Sequence, residues 1–266
     1  MPFTVSHAAA GLLFGPTPLV VSAVVAGTVA PDLPYLLPQA TSAEWGPYSD
    51  FNLTYTHRVG TGLVAGTVVA LLLLALFHHL LVRPLRALLP QGVVARLPDG
   101  VGRFRWLPGA RLGWIVVSAL VGVGTHLVWD GLVHDSGSGE WSPLPDTPAV
   151  TEALWWASTL GGMLAIAVWL GVRVRRTPRH TVAPNTVLGT AGRLVTVALL
   201  LVAGVAGALL KVGTEVTSSL SLVALRQVVT GGMSGFAVGV LVYAVWWTAR
   251  SARTAEPDPF RSGTGR

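Results

Sequence analysis

Cysteine is absent from all 266 residues, which excludes disulfides and every thiolate metal site. Any metal would have to be held by His, Asp or Glu. Charge is scarce as well. Only 11% of residues are charged against 52% hydrophobic, and the mean hydropathy is +0.61. That balance excludes an ordinary soluble domain and indicates an integral membrane protein. The opening stretch MPFTVSHAAAGLLF has no basic region and already carries His7, so no cleavable leader is expected and insertion falls to the spans themselves. The chain has no DNA- or RNA-binding signature. Its net charge of +6 comes from 18 basic residues, all arginine except Lys211, and they flank apolar runs. Such arginines are topology determinants rather than a nucleic-acid footprint.

What is present is a series of long apolar runs. Segments near 59–82, 154–172, 193–213 and 228–249 are each long enough to cross a hydrocarbon core, which takes roughly 20 residues. A fifth, 112–134, is equally long but carries polar side chains. The first apolar stretch, 8–30, is interrupted by GPTP at 15–18, where two prolines remove backbone donors. Two short helices, about 4–14 and 18–30, folded back as a hairpin are expected there; the alternative is one kinked span, giving six in all. The predicted fold is thus all-α, five spans plus an amino-terminal hairpin, with one transmembrane domain over 1–250 and a flexible cytoplasmic tail over 251–266. Frequent Gly and Ala suit close helix–helix approach in lipid.

The arginines orient the spans. They crowd the 83–111 loop, the 173–193 loop and the tail, whereas the alternate loops hold Glu44, Asp50, Asp135, Glu140, Asp146, Glu152 and Glu215. The positive-inside rule makes the arginine loops cytoplasmic, and all five spans alternate in agreement.

That orientation gives meaning to the stretch THLVWDGLVHD at 125–135. His126, Asp130 and His134 recur every four residues, which on a helix stacks them on one face about 6 Å of rise apart. They fall in the outer half of their span. His57 and Arg58 of YTHR sit at the outer mouth of the 59–82 span, and Asp32 of APDLPYLLP precedes it. If 8–30 is a hairpin, His7 joins the same layer; if it is a single span, His7 lies about 30 Å away. Ionisable groups inside a span are costly and usually functional. The layer His7, Asp32, His57, His126, Asp130 and His134 therefore reads as a candidate site for a divalent transition metal, with zinc foremost and manganese or iron also suited to imidazole and carboxylate donors. The competing reading is a polar network that only packs helices. His78 and His79, beside Arg83, and His180, in an arginine-rich loop, read as helix-end or loop residues. Lys211 and Glu215 read as an ion pair, and Trp155, Trp156, Trp246 and Trp247 as an interfacial belt.

With those residues in view, the sequence resembles the bacterial membrane family catalogued as domain of unknown function 4184. The likeness is carried by MPFTVSHAAA, AGTVAPDLPYLL, YTHRVG, GTHLVWDGLVH and TEALWWASTLGGMLAIAVWL, in order over most of the first 170 residues. More distantly, an early His, then Pro-Asp, then Thr-His, then a helix with His and Asp is similar to membrane-bound metal-dependent hydrolases and to zinc-dependent phospholipase C. That resemblance implies His7, Asp32, His57, His126 and Asp130 as metal ligands, with His134 a ligand or proton-transfer partner. The soluble enzymes of that type use further His and Glu ligands for which this chain has no obvious equivalents.

The resulting expectation is a metal-dependent hydrolase in the bacterial cytoplasmic membrane, acting at its outer face on a phosphoester of a lipid or lipid-linked substrate. Arg58 would hold the phosphate in bidentate fashion. Asp130 or Asp135 would act as general base, or else orient a histidine. Two other classes compete. A transporter would use the same His and Asp but needs polar residues continuing to the cytoplasmic side, and the last two spans are almost purely apolar. A non-enzymatic membrane scaffold would need no such layer. Membrane lipid is the expected partner; the sequence does not specify an oligomeric state.

Overall fold

The computed structural model describes residues 4–15, 17–36, 54–97, 104–133, 147–181, 188–214 and 222–254, and these are helical with no strand among them. Among the described residues, five helices are long and apolar enough to cross a membrane: Val59–Leu88, Gly109–Val133, Ala149–Arg176, Thr190–Val212 and Gln227–Arg253. Two shorter apolar stretches precede them, so the chain is a polytopic all-α membrane protein of the five-span kind and not the six-span alternative. The described residues fall into two compact units, 1–78 with 99–178, and 79–98 with 179–266.

In the first unit, α1 (Thr4–His7) runs on as 3-10 turns over Ala8–Phe14, and α2 (Val21–Val29) runs on as 3-10 turns over Ala30–Leu36. Thr17 closes the turn between them: its backbone N–H and its hydroxyl both donate to the Phe14 carbonyl, at 3.1 and 2.7 Å. The two arms pack on each other closely enough that a methyl on Gly11 would lie 2.6 Å from a Val25 methyl. The hairpin expected from GPTP is thus formed. Its second arm runs further than expected, to Leu36. Pro31 and Pro34 lack donors but accept the φ of a 3-10 turn, and so Asp32 sits on a helix rather than in a loop.

A short α3 (Thr54–His57) is separated from α4 (Val59–Leu76) by Arg58, whose backbone is extended at φ −76°, ψ 134°. A π-helical turn at Phe77–Leu81 carries α4 into α5 (Val82–Leu88), followed by α6 (Gln91–Val94). Next come α7 (Gly109–Val133), α8 (Pro148–Arg176), α9 (Thr190–Thr214) and α10 (Leu222–Thr254). The last three outrun their apolar cores. In α8, for example, Pro148 suits the first turn and Arg173, Arg175 and Arg176 complement the carboxyl end of the dipole. The α10 helix continues past 250 to Thr254, and residues 255–266 lie outside the described set.

The core of the first unit is made of small residues. Ala23 and Ala26 of α2 and Ala30 of its 3-10 extension meet Ala70 and Leu74 of α4 and Ile115 and Ala119 of α7. Where α2 crosses α7, a methyl on Gly27 would come 2.9 Å from Gly122 Cα, so the backbones touch. In lipid no hydrophobic force drives helices together, and close van der Waals approach takes its place. Ser118 ties the same pair, accepting from Val20 N–H at 2.8 Å. The second unit uses the same device. A methyl on Gly207 of α9 would lie 2.8 Å from Gly235 Cα of α10, and the Tyr243 hydroxyl donates to the Pro84 carbonyl at 3.0 Å. Large apolar side chains such as Leu160, Leu194 and Leu210 point outward, as lipid-facing residues do.

Candidate metal centre

The α2–α7 crossing fixes the site. One residue after Gly27, the Thr28 carbonyl accepts a 2.8 Å hydrogen bond from Nδ1 of His126, one turn beyond Gly122. A carbonyl can only accept, so Nδ1 carries a proton and is spent on Thr28, leaving Nε2 to face the interior. That Nε2 lies 3.4 Å from Asp130 Oδ2, 3.6 Å from Asp32 Oδ1 and 3.4 Å from Nε2 of His57. His57 Nε2 in turn lies 3.4 Å from Asp32 Oδ1 and 3.6 Å from Asp130 Oδ2, while its Nδ1 sits 3.1 Å from the Thr56 hydroxyl.

Three elements converge here. Asp32 comes from the 3-10 extension of α2, His57 from the end of α3, and His126 with Asp130 from the last two turns of α7. Pro31 lies alongside Gly66 of α4, where a methyl would lie 3.7 Å from its ring and 2.9 Å from Val123 of α7. All four side chains are buried, none more than 4% exposed. Two carboxylates so deep are costly unless paired, and neither oxygen of Asp32 has a hydrogen-bond partner among the described residues.

The distances discriminate between two ways of neutralising them. Charge-assisted N–H···O⁻ hydrogen bonds would draw the atoms to about 2.7–2.9 Å. Donors bound at about 2.0–2.2 Å around a tetrahedral ion stand roughly 3.3–3.6 Å apart, and octahedral neighbours about 3.0 Å. Five separations among these four atoms lie between 3.4 and 3.6 Å. All four donor atoms fall within 4.8 Å of one another. Asp32, His57, His126 and Asp130 therefore form a group that could hold a metal ion.

The other expected members stand as follows. His7 is buried beside the group, its Nε2 3.4 Å from Asp130 Oδ1 and its ring 4.2 Å from that of His126, but it is not one of the four donors. Arg58 follows His57 and is exposed. His134, Asp135 and Glu215 lie outside the described residues. His78 stacks on Phe104 at 4.0 Å and approaches Ser22 at 3.4 Å, and the His180 backbone N–H donates to Ala95 at 2.8 Å; neither joins the donor group. Sequence reasoning missed the Thr28 carbonyl, since a backbone acceptor leaves no side-chain signal. Thr56 was visible in YTHR but unassigned.

The family described as Domain of unknown function (DUF4184) matches residues 1–245, and the chain belongs to it. No curated protein and no solved structure matches the chain.

Proposed function

We propose that this member of the unknown-function family is a membrane-embedded, metal-dependent hydrolase. Its substrate would be a phosphoester of a lipid or lipid-linked molecule at the extracytoplasmic face of a bacterial cytoplasmic membrane. One observation carries the metal: Nε2 of His126 faces two buried carboxylates and a second imidazole at 3.4–3.6 Å, in a group of four donors that could hold one ion. Two nitrogens and two carboxylate oxygens in that arrangement favour zinc over manganese or iron, which prefer more ligands. The order of an early His, Pro-Asp, Thr-His and a His/Asp helix, similar to zinc-dependent phospholipase C, supports hydrolysis. The arginine-rich loops support the outer side.

When bound, the ion would supply Lewis-acid activation of water and of a phosphoryl oxygen, which requires one of the four donors to give way or a further ligand to enter. The chain's own residues do the rest. Asp32, His57, His126 and Asp130 hold it. Asp130 Oδ1 faces His7 and Oδ2 faces His57 and His126. That leaves Oδ2 of Asp32, without a hydrogen-bond partner among the described residues, to accept the proton of an attacking water. Asp135, the other carboxylate expected in that role, is outside the described residues. Arg58 would clamp the phosphate, and His134 would ligate or carry protons.

The test is a purified protein assayed before chelation, after chelation and after zinc is restored, against phosphoesters, carboxylic esters and amides. Release of phosphate or a phospho-head group that is lost and then restored supports the reading. Zinc-loaded protein inert to the whole panel overturns hydrolysis and favours a structural or transport role for the ion.

A further inference from the structure

His7 shares the buried layer with the four donors, but it meets them from the side. Its ring lies against the ring of His126, centroids 4.2 Å apart and planes 31° from parallel. Its Nε2 approaches Asp130 at Oδ1, whereas both His57 and His126 approach the same carboxylate at Oδ2. Asp130 thus has a histidine at each edge of its carboxylate. No hydrogen-bond partner satisfies His7 Nε2 among the described residues, and Asp130 Oδ1 at 3.4 Å is the anion it faces.

We infer that His7 is a positioning residue rather than a metal ligand. It stands 3.4 Å from the far oxygen of Asp130, where it can close to a hydrogen bond as Oδ2 turns to the ion, and its ring braces that of His126. The inference rests on the metal centre proposed above. A carboxylate left unrestrained can swing to bind through both oxygens, which would crowd a tetrahedral site. A group anchoring one oxygen prevents that and sets the direction of the other.

The packing shows what places His7. The neighbouring Ser6 is pressed on α8, where a methyl on Gly162 would fall 2.8 Å from Ser6 Cβ and 2.8 Å from its carbonyl oxygen. Both Ser6 and His7 are buried. The α8 helix supplies no donor to the centre; through Gly162 it fixes how far α1 can advance towards Asp130. Gly162 is therefore the second positioning residue, acting through the backbone of Ser6.

X-ray absorption at the zinc edge of the full-length protein, with titration of zinc alone, separates the roles. The expected wild-type spectrum counts two imidazoles. His7→Ala and His7→Gln should keep two, whereas His126→Ala keeps one. Zinc affinity should fall about 10- to 100-fold in His7→Ala, the range for losing an outer partner. It should recover towards wild type in His7→Gln, whose amide nitrogen stands where Nε2 stands. Gly162→Ala should weaken zinc binding in the wild type but add little to His7→Ala, because both act on one contact. Three imidazoles in the wild type would make His7 a ligand and overturn the inference, whatever the variants do. Unchanged affinity in His7→Ala, or a Gln variant no better than Ala, would also overturn it. A wild type that binds no zinc would instead sink the metal centre itself.

Discussion

His126 is the residue on which the site turns, because one of its nitrogens is committed to the Thr28 carbonyl at 2.8 Å and the other is thereby committed to the donor group. The consequence can be measured. His126→Ala and Asp130→Ala should each weaken metal binding by more than the roughly 100-fold ceiling for outer partners, seen as loss of metal through purification. His78→Ala and His180→Ala should purify with wild-type content, since one stacks on Phe104 and the other ties its backbone to Ala95. Equal metal content in all four would make the buried layer a packing network. The i, i+4 spacing of His126 and Asp130 was legible in the sequence because a helix in lipid has few reasons to carry ionisable groups. Asp32 and His57 were legible only through the orientation of the spans. The proton on Nδ1 was not legible, for it is set by a carbonyl 98 positions away.

At the scale of elements, the hairpin could be read from GPTP because proline removes donors wherever it stands. The length of its second arm could not, since 3-10 turns tolerate the residues that end an α-helix. The Gly27–Gly122 crossing was also hidden: many glycines were visible, but which pair would meet depends on helix rotation. That crossing carries two functions, packing α2 on α7 and delivering Thr28 to His126. Gly122→Val should therefore cost more than the ~1–3 kcal/mol of ordinary overpacking, because the obstacle is backbone. It should lose metal in parallel with its thermal midpoint. A stable variant with full metal would show that the crossing can shift without moving His126. The hairpin itself can be probed by a single cysteine in this cysteine-free chain. Ser6 is buried against α8, whereas Val5 is 43% exposed, so Val5→Cys is the better reporter. An impermeant thiol reagent should label it from the outer side. Labelling only after permeabilisation would reverse the proposed orientation of α1.

For the whole molecule, the proposed function raises the question of why a metal would be held in a layer between lipid and water. Lewis-acid activation is useful there only to a substrate that presents an oxygen at that depth, and phosphoesters of lipid head groups are abundant at that depth. The centre itself is buried, and its two carboxylates would cancel the charge of a divalent ion, so a phosphate brought there needs a further counter-charge. Arg58 is the cation placed to provide one. It follows the donor His57 directly, its backbone is extended where α3 breaks from α4, and its side chain is exposed while its neighbour is buried. A guanidinium offers a phosphate two parallel N–H groups, whereas an ammonium offers a point charge on a flexible stem. Under the proposed function, Arg58→Lys should leave zinc content and thermal midpoint at wild-type values. Turnover of a phosphoester should fall about 10- to 100-fold, corresponding to loss of one or two charge-assisted hydrogen bonds at roughly 1.4 kcal/mol per factor of ten. The loss should appear with phosphoesters and not with neutral carboxylic esters, because only the former carry the charge that Arg58 would meet. If lysine and arginine turn over phosphoesters equally, Arg58 is an interfacial side chain reaching for water, and recognition of the phosphate must lie elsewhere in the chain.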